Sequence, residues 1–66
     1  MKNLNVYKQN GYKYIVVLNG SSDCPDYEAF HTRKSAERAN VLKFGCKADV
    51  LTLKQAAEEY PHYFLY

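Results

Sequence analysis

The chain has 66 residues, a formal net charge of +2 and 47% hydrophobic residues. That length makes one domain, residues 1–66, and a composition this apolar excludes a disordered tail. No run approaches the ~18 apolar residues of a transmembrane helix, and a charge so near neutral does not by itself indicate nucleic acid.

A domain of this size buries only about 60% of its unfolded surface, so a partner or a second copy would add to a marginal stability. Residues 1–5 are polar and nothing resembles a secretory leader. Cys24 and Cys46 lie in different segments without a C-x-x-C motif, so both read as thiols of a cytoplasmic protein, with a single disulfide as the alternative.

Residues 3–18, NLNVYKQNGYKYIVVL, read as a β-hairpin about Asn10-Gly11. A two-residue type I′ turn needs positive φ at both central positions, and Asn-Gly is its strongest signal. The register that follows puts Leu4, Val6, Ile15 and Val17 on a core face. The other face carries Tyr7, Tyr12, Tyr14, Val16 and Leu18, too apolar for a solvated surface. Three covers suit it: the chain's own C-terminal tail, a second copy in a homodimer, or a partner.

Residues 19–26, NGSSDCPD, collect turn formers and read as a loop. Residues 27–31 form a short third strand, with Phe30 on one face and Tyr27 and Ala29 on the other. Residues 32–44 read as the main helix, capped by Thr32 or Ser35, with Lys43 in the last turn and Gly45 as its stop. At about 100° per residue, Ala36, Ala39 and Leu42 share a stripe for the sheet, and Lys34, Glu37, Arg38 and Val41 lie opposite. Residues 47–53 read as a fourth strand. Thr52-x-x-Gln55 fits a capping box that opens a short helix through Tyr60, which Pro61 ends. The aromatic tail HYFLY needs a place to dock, and the Tyr-rich face offers one.

The expected fold is therefore α+β: a small antiparallel sheet, built from the N-terminal hairpin plus one or two strands, packed on one main helix. A short C-terminal helix follows, and the order is β-β-β-α-β-α.

No pattern of chemistry emerges. Cys24, His31, Cys46 and His62 lack the paired spacings of a structural zinc site. A Cys–His nucleophile pair has no third member or oxyanion-hole motif. The carboxylate pairs Asp23/Asp26 and Glu58/Glu59 read as solvated surface, and Gly11, Gly20 and Gly45 are scattered as turn and cap residues. No catalytic, cofactor-binding or metal-binding residue is singled out, and the chain reads as a binding protein rather than an enzyme.

His31, Arg33, Lys34, Arg38, Lys43 and Lys47 gather about the main helix as a local basic patch, interrupted by Glu37. Val41 sits among these charges where a polar residue is expected. Tyrosines on a sheet face stack single-stranded bases or anchor protein interfaces. The candidate partner-binding residues are thus Arg33, Lys34, Arg38 and Val41 on the helix, with Tyr7, Tyr12 and Tyr14 on the sheet.

The run TRKSAERA is similar to the helix start of double-stranded-RNA-binding domains, where basic residues touch phosphates. That resemblance covers eight residues and gives the role to Arg33, Lys34 and Arg38. It departs in having no helix before the first strand and no Gly-rich segment before the run. In size and style the whole chain also resembles the small proteins with which phages inhibit host machinery, including anti-CRISPR and polymerase inhibitors. That likeness implies a non-enzymatic inhibitor of phage or mobile-element type that occludes a host protein or nucleoprotein complex handling nucleic acid. Direct RNA or DNA binding and self-association are the alternatives.

Overall fold

The structure is a computed structural model that describes residues 2–66; Met1, part of the polar start read above, lies outside them. The elements are β1 (Lys2–Asn3), α1 (Asn5–Gln9), β2 (Tyr14–Leu18), β3 (Asp26–Phe30), α2 (Arg33–Phe44), β4 (Asp49–Thr52), α3 (Leu53–Glu59) and β5 (Phe64–Leu65). The fold is the expected α+β class, with a three-stranded antiparallel sheet in the order β3-β2-β4 and a small parallel pair, β1-β5.

The N-terminal hairpin does not form. Residues 5–9 are helix α1, and Asn10-Gly11 is its stop rather than a strand turn. Asn10 has φ −91°, which excludes a type I′ turn, and Gly11 alone takes the left-handed φ of 85°. The Gly11 N–H donates to the Lys8 carbonyl (3.1 Å) and the Tyr12 N–H to the Tyr7 carbonyl (3.0 Å). These are the two bonds of a Schellman cap, and the apolar contact that accompanies it is Tyr7 against Tyr12, edge to face at 5.8 Å. At the other end of α1 the Asn3 Oδ1 accepts from the Asn5 N–H at 2.9 Å. Five residues are too few for a helix to persist alone; this one is held by its cap and by Tyr7, which packs against the core.

The absent hairpin changes both faces of β2. Val6, expected in the core, is 55% exposed. Leu4 stays fully buried, because β1 pairs with β5 and directs it inward: the Lys2 N–H donates to the Tyr63 carbonyl and the Leu4 N–H to the Leu65 carbonyl. One face of the sheet carries Ile15 and Val17, packed with Leu4, Leu53, Ala56 and Phe64. The tail does dock, but on this face and not on a Tyr-rich one. The other face carries Tyr14, Val16 and Leu18, and α2 covers it through the buried Ala36 and Ala39. The sheet is therefore the middle of three layers, which accounts for the near-continuous apolar run YIVVL.

The second half follows its local signals. Thr32 Oγ1 accepts from the Ser35 N–H at 3.2 Å, and Gly45 ends α2 at φ 60°. Thr52 and Gln55 exchange both bonds of the capping box, at 3.1 and 3.0 Å. The loop after β2 is pinned from the tail side. Gly20 is buried beneath the Tyr60 ring, where no side chain fits, and the Tyr60 hydroxyl donates to Asp49 Oδ2 at 2.6 Å. Leu42 departs from the expected stripe and is 71% exposed. Two steps of i+3 spacing drift off a helix face, so the sixth residue past Ala36 lies about 120° away from it. Asn40 and Lys43, four and seven residues on, take the sheet side instead.

Candidate functional site

The sequence-predicted residues divide between the two sides of the sheet. Arg33, Lys34, Arg38 and Val41 stand exposed on α2. Tyr7, within α1, and Tyr12, just after it, lie on the opposite side. Tyr14 is half-buried on the α2 side, paired with Phe30 and Thr52. The single Tyr-rich face does not exist, because α1 removes Tyr7 and Tyr12 from the sheet. Their rings are instead structural. His31 stacks on Tyr12 at 4.1 Å, Tyr12 meets Tyr7, Tyr7 meets Tyr27, and Tyr27 meets Phe64 at 5.3 Å. The phenol of Tyr27 is pushed far above its ordinary range, first by burial and then by the neighbouring Tyr7.

The basic patch also thins. Arg33 Nε pairs with Glu37 at 3.4 Å, and Lys43 Nζ reaches Glu28 at 3.0 Å. His31 is held by Tyr12 and by the Gly11 carbonyl, 3.1 Å from its Nδ1. Asp49 accepts from the Tyr60 hydroxyl on the other side of the sheet. Among the described residues, Lys34 and Arg38 make no ion pair. They stand one turn apart, and Val41 follows Arg38 by three residues and Leu42 by four. Val41 is 57% exposed beside the still more exposed Leu42. The outer face of α2 thus presents two aliphatic side chains next to two free cations. Leu42 was missed because the alanine stripe claimed it; counting from Arg38 would have found it.

A concave feature lies on the α1 and α3 side. A cleft of about 310 Å³ is lined by Lys8, Tyr12, Lys13, Leu53, Lys54 and Tyr66, among others. Lys8 Nζ stands 5.2 Å from the centre of the Tyr66 ring. No sequence pattern joins these residues, since three distant segments build the cleft. Cys24 and Cys46 are exposed free thiols, and no three His, Cys, Asp or Glu side chains converge as a metal site among the described residues. No helix of the described residues is long and apolar enough to cross a membrane. Comparison with models of known families, with curated proteins and with solved structures finds no match.

Proposed function

We propose that this chain is a non-enzymatic binding protein that docks on an acidic, partly apolar protein surface through the outer face of α2. The observation that carries this reading is the pair Val41 and Leu42, exposed side by side and flanked by the unpaired Lys34 and Arg38. Large aliphatic groups gain free energy only when covered, at about 25 cal/mol per Å². A planar guanidinium beside them suits bidentate pairing with a carboxylate. The helix is rigid at both ends through its Thr32 cap and the Gly45 stop, so docking orders little additional backbone.

The concrete role we propose is occlusion of a cytoplasmic host protein complex that handles nucleic acid. Its support is the likeness in size and composition to small phage inhibitors. The test is affinity capture from a bacterial lysate after nuclease treatment, with the wild-type chain, Val41→Asp and Arg38→Glu. A discrete protein retained by the wild type and lost by both variants supports the reading. Retention unchanged in both variants refutes the α2 surface. Recovery of only the chain itself moves the reading to self-association.

A further inference from the structure

The cleft on the other side of the sheet has a chemistry distinct from the α2 face. Its charged side chains are three lysines, Lys8 from α1, Lys13 from the lead into β2, and Lys54 from α3. None of the three has a carboxylate partner among the described residues. No side chain of the lining is anionic, so an anionic group is the ligand charge that its lysines favour. There is no arginine fork in the lining, so the recognition is of a compact, multiply charged group by point charges, which fits phosphate better than a planar carboxylate.

The remaining walls ask for a flat apolar body. Leu53 is buried beneath the cleft, and Tyr12 and Tyr66 flank it. Tyr12 is prefixed, stacked on His31 and set edge-on to Tyr7, so it offers a ring whose position is already determined. Gly11 belongs to the same lining and brings no side chain into the opening. A volume of about 310 Å³ accommodates one small ligand rather than a folded segment.

We infer that this cleft binds one nucleotide unit, its phosphate held among Lys8, Lys13 and Lys54 and its base against the tyrosine walls. The site is independent of the α2 face and does not depend on that face's function. Aromatic stacking with lysine contacts is the usual chemistry of sequence-tolerant nucleotide binding. The unit comes either from a free nucleotide or from a single strand.

The test is a titration of the isotopically labelled chain, followed by amide NMR shifts, with adenosine monophosphate, adenosine, inorganic phosphate and an oligoadenylate. Adenosine monophosphate is expected to move the amides of Gly11, Lys13, Leu53 and Lys54. Adenosine and phosphate alone are each expected to bind at least about tenfold more weakly, because each forfeits one half of the site. The pair Lys13→Gln and Lys54→Gln replaces exposed side chains, and weakens adenosine monophosphate binding at least about tenfold. Tyr66→Leu serves as the second variant, reducing binding through loss of the ring. Tighter, salt-sensitive binding of the oligonucleotide marks a single strand as the source; equal affinity marks the free nucleotide. The inference is overturned by absence of shifts with both nucleotide probes, by equal binding of adenosine or phosphate, or by shifts confined to α2.

Discussion

Asn40 carries the connection from α2 to β4, and its replacement gives a sharp test of the fold. Its Nδ2 donates to the Ala48 carbonyl at 3.1 Å and its Oδ1 accepts from the Ala48 N–H at 3.0 Å. The side chain thereby satisfies both backbone groups of a half-buried residue. The Asn40 backbone carbonyl separately accepts from the Cys46 N–H at 2.8 Å, a bond that side-chain changes leave alone. Asn40→Ala removes two neutral hydrogen bonds at about 1 kcal/mol each, a loss of about 2 kcal/mol. A domain of this length holds only roughly 3–10 kcal/mol in total, so the melting temperature falls by roughly 8–16 °C.

Asn40→Asp separates the two bonds. The carboxylate still accepts from the Ala48 N–H, but its second oxygen meets the Ala48 carbonyl oxygen where an amide donated. At neutral pH this variant is less stable than Asn40→Ala. Protonation restores a donor, so the introduced carboxyl has a raised pKa in the folded state. A raised folded pKa means that the stability it contributes is present below the unfolded value of about 4 and is lost as pH rises through the folded value. Urea unfolding followed by circular dichroism at neutral and acidic pH reads the difference, with Asn40→Ala as the reference that carries the chain's other titrations and none at position 40. An alanine cost below about 0.5 kcal/mol, or an aspartate variant that tracks the alanine one at every pH, refutes the bidentate clamp.

Four further outcomes follow from the packing and the hydrogen bonds. Gly20→Ala forces a methyl group into the Tyr60 ring and costs about 1–3 kcal/mol. Gly45→Ala, where a methyl group meets nothing within 4 Å, costs only the backbone strain of the left-handed conformation, about 1 kcal/mol by denaturant unfolding. Phe64→Ala empties the centre of the tail-side core and costs about 3–5 kcal/mol, enough to leave much of the chain unfolded by circular dichroism, whereas Leu65→Ala at the half-exposed neighbour does not. The Tyr60 phenol, pushed up to about 12 first by its bond to Asp49 and then by burial, keeps its stabilising contribution intact below about pH 10 and loses it as pH rises toward 12. Phenolate absorbance then shows a late-titrating fraction, together with Tyr27, among the seven tyrosines, and Tyr60→Phe shrinks that fraction.

Local signals were legible wherever the deciding atoms lie within one turn. Thr32, Gly45 and the Thr52–Gln55 box act over three or four residues, and each performs the task its residue type suggests. Asn10-Gly11 was read as the wrong motif because a glycine with positive φ serves a hairpin turn and a Schellman cap equally well. The choice between them rests on Asn10, whose φ is negative, and on contacts that join residues 2–4 to 63–65. The α2 surface was legible because helical periodicity alone sorts Lys34, Arg38 and Val41 outward. The supposed Tyr7–Tyr12–Tyr14 face depended on a hairpin register and dissolved with it. The lysine cleft was illegible because Lys8, Lys13 and Lys54 meet only after three elements have packed.

The most direct test of the proposed α2 surface is an amide hydrogen-exchange footprint on the complex recovered by nuclease-treated capture, compared with the free chain. Docking through α2 predicts new protection in residues 34–42, with residues 8–13 and 52–54 unchanged. Protection confined to the lysine cleft, or to β5 and the tail, would contradict it.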